Sequence, residues 1–236
     1  MRRALLLSLA LLALPTQATE LKSFSASYTA DWSAAPVSGT AKRTLERQAD
    51  GSWKLNFDAS MLVTSFNEYS IFRVEGEQLL PTQYRLKRSG LGRGKAVEHN
   101  FDWANKQVTG KDEGDPVKLP LNPGLLDKST YQVALQQDVA AGKRSMSYQV
   151  VDDDEIETYD FRVLGTEQVT TRAGQVDAIK VERVRDPTQS KRQTEMWFAK
   201  EWNYLLVKLR QVEKDGKEHQ IVLEQGSING QPVKGR

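Results

Sequence analysis

The chain contains no cysteine. It can form no disulfide, offers no thiol nucleophile or thiolate ligand, and has no cysteine to carry a lipid anchor. Its stability must come from a packed core, and 236 residues suffice to build one. Histidine is nearly as scarce. His99 and His219 lie far apart in the chain, and neither has a second histidine one helical turn away, so each is expected to be a partly exposed strand residue and not a metal ligand. Net charge is also lacking. The formal excess of +2 matches Arg2 and Arg3; without them 31 basic residues face 31 acidic ones, interspersed along the chain. A nucleic-acid-binding face needs a basic excess, so nucleic acid is excluded as a partner. There is no Gly-x-Ser-x-Gly elbow and no Gly-rich loop ahead of a Lys-Ser/Thr pair. "GLGRG", Gly90 to Gly94, lacks the strand-then-helix setting that would make it a phosphate loop, and it reads as a loop tip.

One long apolar run is present, and it opens the chain. In "MRRALLLSLALLALPTQATE", Arg2 and Arg3 precede a run from Ala4 to Leu14 interrupted only by Ser8. Pro15 breaks the run, and small residues follow up to Ala18. This is the layout of a secretory signal peptide, residues 1–18, with cleavage after Ala18. The run is too short to span a bilayer, and no second one follows. The mature protein, residues 19–236, is expected to be a single β-rich domain without a transmembrane segment, secreted to the periplasm. The chain ends in "QPVKGR" without the terminal aromatic residue of outer-membrane barrels.

What is abundant is alternation. In "SFSASYTADW", Phe24, Ala26, Tyr28, Ala30 and Trp32 share one parity, and serine, threonine and aspartate hold the other. "WKLNFDASM" repeats the pattern with Trp53, Leu55, Phe57, Ala59 and Met61. Such a period marks strands with one buried and one wet face, as in antiparallel sheets. Turn signals punctuate the chain at hairpin spacing: Asp50-Gly51, Gly76, Asn105-Lys106, "DDDE" at 152–155, "RAGQ" and "KDGK". One segment differs. Asp127 or Ser129 can cap a helix carrying Tyr131, Leu135 and Val139 at spacings of four, and Gly142 follows its end. The fold expected is mainly β: an antiparallel, strongly curved sheet forming a barrel or half-barrel, with one main helix over about residues 127–141.

Little chemistry is on offer. The acidic run "VDDDEIE" lacks the alternating ligands and central glycine of a calcium loop and reads as a solvated turn. No catalytic residue, metal ligand or cofactor site is singled out. The aromatic faces are more informative. Tyr28, Trp32, Trp53, Phe57 and Trp197 are the candidates for an apolar interior, either as plain core or as the lining of a ligand-binding concavity.

Two stretches carry a family resemblance. "GLLDKSTYQVALQQDVAAG" and "TEMWFAKEWNYLLVKLRQVEKDGKEHQIVLE" resemble the helical segment and closing hairpin of domain-of-unknown-function family 3108 of the bacterial envelope. Leu205-Leu206 stands where that family's pattern has a proline. The resemblance covers about residues 20–230 and implies a periplasmic β-rich protein, and it supplies no catalytic residues. The closing hairpin is also similar in outline to periplasmic lipoprotein carriers, a likeness of fold alone. The reading is a non-catalytic protein of a Gram-negative envelope that binds a lipid or other apolar small molecule. The alternatives are a scaffold with an envelope protein partner, and a glycan- or peptide-acting hydrolase using a carboxylate pair.

Overall fold

A computed structural model describes residues 20–236, apart from 33–34, 62, 91–93, 187 and 189, and it describes no side chain for residues 32 and 35–38. The leader, residues 1–18, and the side chain of Trp32 therefore lie outside the described residues. The strands are β1 (Phe24–Trp32), β2 (Ala35–Arg47), β3 (Trp53–Met61), β4 (Thr64–Glu75), β5 (Gln78–Ser89), β6 (Lys95–Asp102), β7 (Gln107–Asp112), β8 (Asp115–Pro120) and β9 (Leu126–Asp127). Helix α1 (Thr130–Ala140) follows. Then come β10 (Ser145–Asp152), β11 (Glu155–Thr171), β12 (Gly174–Val184), β13 (Gln193–Ala199), β14 (Leu205–Val212), β15 (Glu218–Ile228) and β16 (Gln231–Pro232). No helix among the described residues is long and apolar enough to cross a membrane.

These strands make one large sheet. Its order runs β8-β7-β6-β5-β4-β3-β2-β1-β15-β14-β13-β12-β11-β10-β9, with β16 beside β15. Each half is a meander joined by the expected turns. Gly51, Gly76 and Lys106 occupy the left-handed backbone region those turns require. The two meanders meet where β1 pairs with β15, Phe24 opposite Ile228. Among the described residues, β9 and β10 are the one neighbouring pair that runs parallel.

Alternation sets the inner face. Phe24, Leu45, Leu55, Ser70 and Tyr84 lie opposite one another across β1 to β5. The next rung is Ala26, Arg43, Phe57, Glu68 and Leu86. The sheet curls without closing. Val151 of β10 is buried in one cluster with Tyr84, Leu86, Val97 and Val108, and Ile156 of β11 packs against it, so the far ends of the sheet meet side chain to side chain. β9 and α1 fill the space between them. Val133 is buried with the residues of β1 to β3, and Leu135 and Val139 with those of β10, β11 and β13. The expected helix is thus present, packed inside the curl. Asp127 caps it from outside its first turn: Oδ1 accepts the N–H groups of Ser129 at 2.8 Å and Thr130 at 2.7 Å. Ser129 holds the N-cap position without a side-chain capping bond.

Two expectations are corrected here. The acidic turn between β10 and β11 is not merely solvated. Lys128 pairs with Asp152 and Asp153, and Lys95 of β6 also pairs with Asp153. The turn therefore ties β6 and the residue after β9 to β10, across the gap that the strand ladder leaves open. His99 is not partly exposed. It is fully buried, stacked on Tyr84 with ring centroids 5.5 Å apart, and its Nε2 lies 2.7 Å from the Asp153 carbonyl oxygen. Gly110 lies opposite it, because a Cβ there would sit 1.7 Å from the Glu98 carbonyl oxygen. At the free edge, β8 carries Pro116 and Pro120, which lack the N–H groups a further strand would use.

Candidate functional site

Two neighbouring clefts open at one end of the curled sheet. The first, of about 380 Å³, lies between the last residues of β1, β3 and β14 and the first residues of β4 and β15. Ala30, Phe57, Ala59, Met61, Phe66, Leu209 and Ile221 give it apolar walls, and Asp31, Arg88, Glu213, His219 and Gln220 add polar groups. Phe57 and Phe66 meet edge to face, with centroids 5.7 Å apart. The geometry follows from register. Phe66 stands opposite Ala59, one rung above Phe57, so both rings project inward from adjacent strands.

Polar groups flank this aromatic pair inside the sheet. Arg43 and Glu68 are the rung partners of Phe57. Arg43 is only 3% exposed, its guanidinium lies 5.3 Å from the centre of the Phe24 ring, and its Nη2 has no hydrogen-bond partner among the described residues. Burial lowers its pKa from the usual arginine value. Glu68 accepts the Tyr84 hydroxyl at 2.7 Å, and burial raises its carboxyl to about 7. Asp127, wholly buried, also accepts the hydroxyls of Ser70 at 2.5 Å and Thr130 at 2.7 Å. Burial still holds its pKa above the usual carboxylate value.

The second cleft, of about 590 Å³, lies where β12 leads into β13, beside β11. It is basic: Arg162, Arg183, Arg185, Lys191 and Arg192 line it, with Glu182 and Glu195. Arg162 Nε donates to Glu182 at 2.9 Å. The Arg183 guanidinium sits 3.3 Å from the Tyr159 ring centre and pairs with Glu157 at 3.2 Å. Arg192 pairs with Glu213 at 2.8 Å, and Glu213 also lines the apolar cleft, so this ion pair is a wall common to both. Arg185 donates to neutral oxygens, Thr194 Oγ1 at 3.1 Å and the Arg192 carbonyl at 3.5 Å. Burial first, then the charges of Arg183 and Arg192, push its pKa down to about 10.

The residues singled out from sequence separate by position. Phe57 lines the apolar cleft. Trp53 is half-buried and packs against the largest core cluster. Tyr28 is fully buried, donates to the Leu206 carbonyl at 2.9 Å, and has its hydroxyl pKa pushed up to about 12 by burial. Trp197 is buried beside Ala178, Ala199 and Leu205, and its Nε1 donates to Glu167 at 2.8 Å. Sequence reasoning missed Phe66, Arg43 and Glu68. The parity of Ala41, Arg43 and Leu45, and of Phe66, Glu68 and Ser70, was the available signal. It also missed the arginine cluster, whose members are spread over β11, β12 and the segment before β13. Among the described residues, no group of three His, Asp or Glu side chains converges as a metal site.

Comparison with one solved structure agrees with the barrel-like architecture. No curated protein matches the chain. A "β-barrel-like protein of domain of unknown function DUF1849" from Brucella abortus superposes with a TM-score of 0.59 at 11% identity, over 89% of this chain and 99% of that one. The complex of MucA and MucB from Pseudomonas aeruginosa gives a TM-score of 0.37 at 14% identity, over 92% of this chain and 55% of that one. No catalytic family is indicated. Residues 27–223 match the model of a family described as "Protein of unknown function (DUF3108)", and the chain belongs to that family.

Proposed function

We propose that this protein binds a lipid in the periplasm and performs no chemistry on it, taking an apolar chain into the mouth of its curled sheet. The apolar cleft carries the reading. Its volume falls within the range of small-molecule sites, and its apolar walls are bordered by a few polar groups. Phe57 and Phe66 are positioned there by strand register. The N-terminal pattern of Arg2, Arg3 and the apolar run supports export.

The test is extraction. The mature protein is purified from periplasm without detergent, extracted with organic solvent, and analysed by mass spectrometry beside a Phe57→Asp variant. A near-stoichiometric lipid in the wild type, depleted in the variant, is expected. A clean wild-type extract, repeated after incubation with envelope lipids, refutes the reading.

A further inference from the structure

The basic cleft is not used by an apolar chain, yet it adjoins the site proposed for one. Five cationic side chains line it against two carboxylates, and both carboxylates are already engaged: Glu182 by Arg162, and Glu195 by Lys180 at 2.9 Å and Arg210 at 3.1 Å. Of the three central arginines, Arg183 and Arg192 have carboxylate partners, and each such pair is formed at one edge of its guanidinium. Arg185 is held in place by Thr194 and a carbonyl, neither of which neutralises it. A half-buried guanidinium fixed beside two others by neutral acceptors is a preorganised anion receptor: its orientation is set, and like-charge repulsion falls when an anion enters.

We propose that this cleft binds a phosphate group, with Arg185 as its main ligand and Arg183 and Arg192 beside it. A phosphate suits the cleft better than a carboxylate, because it brings up to two negative charges and three acceptor oxygens to several donors at once. The source of the phosphate rests on the lipid reading above. The shared Arg192–Glu213 wall places the cleft next to the apolar one, as the head and chain of a single phosphorylated amphiphile require.

The experiment measures binding of three probes by calorimetry: dodecyl phosphate below its micelle concentration, dodecanol, and inorganic phosphate. Wild type is compared with Arg185→Gln and Phe57→Asp, with circular dichroism and Tm as the check on folding. Dodecyl phosphate is expected to bind at least ten-fold tighter than dodecanol. Arg185→Gln is expected to abolish that margin while leaving dodecanol affinity unchanged, and Phe57→Asp to weaken both. Equal affinities for the two dodecyl probes, or a margin that survives Arg185→Gln, overturn the phosphate site and leave the lipid reading standing. Arg185-dependent binding of inorganic phosphate, with no gain from the dodecyl chain, supports the phosphate site and removes the lipid as its source. No binding of any probe overturns both.

Discussion

Glu68 offers a direct measure of how the interior of the sheet treats charge. Its carboxyl is buried on the inner face, accepts the Tyr84 hydroxyl, and has its pKa raised from 4.5 to about 7 by loss of water. The folded-state value lies above the unfolded one, so the native protein binds the extra proton. The stability Glu68 contributes is complete below pH 4.5 and is lost as pH rises through 7. A displacement of that size amounts to about 3 kcal/mol once both states are ionised, of which about 2–3 kcal/mol is lost between pH 5 and pH 8. Glu68→Gln keeps an oxygen to accept from Tyr84 and removes the ionisation. Urea unfolding of wild type and variant at pH 5 and pH 8 gives a double difference in which other titrating groups cancel. The variant should gain about 2–3 kcal/mol relative to wild type on going from pH 5 to pH 8. A relative change below about 0.5 kcal/mol would refute the argument that Glu68 is desolvated in the native protein.

Three further outcomes are expected. Asp127→Ala removes the acceptor of the Ser129 and Thr130 N–H groups and of the buried Ser70 and Thr130 hydroxyls, which keep only their 2.8 Å bond to each other, so it should cost about 2–4 kcal/mol; a loss under about 1 kcal/mol in a denaturant melt contradicts the capping role. Trp197→Ala should cost about 3–5 kcal/mol in stability and leave dodecanol affinity unaltered, because Trp197 is core; loss of binding in a variant that remains folded would put it in the site. His99 has its pKa lowered by burial, so the stability linked to it is present above the ordinary histidine value and is lost as pH falls through the folded value. Relative to wild type, His99→Asn should gain Tm on going from pH 7 to pH 5, and an unchanged difference between the two proteins would show that His99 does not take up a proton on unfolding.

The parts of the fold written in short-range patterns were legible. β1 and β3 announce themselves by alternation, and α1 by a four-residue spacing bounded by Asp127 and Gly142. β13 was harder. Met196, Trp197 and Phe198 are all buried, so "MWF" has no wet side and gives no parity. The site was largely illegible. Its apolar walls are drawn from β1, β3, β4, β14 and β15, and only the pairing of β1 with β15 brings Ala30 beside Ile221. Arg43 and Glu68 occupy inward positions where the pattern leads one to expect apolar residues, so they read as breaks in the alternation and not as interior groups. Their burial is a tertiary fact, set by the curl of the sheet and the helix within it.

The seam between β1 and β15 also bears on how the chain reaches this state. Within each meander, most strands are joined by turns of a few residues, the exceptions being the helix between β9 and β10 and the segment 185–192 between β12 and β13, so most of the pairing closes short loops and is entropically cheap. The seam pairs Phe24 with Ile228 and bonds Thr29 to Glu224 across 195 positions. Such contacts form late, because a long loop must be ordered before they repay its closure. β1, which precedes every other strand of the sheet in the chain, is therefore among the last to find its full set of neighbours. Until β15 arrives, the face of Phe24, Ala26 and Tyr28 has a covered edge at β2 and an open one opposite. That edge is the place where a chaperone, or a second unfolded copy, has the longest opportunity to bind.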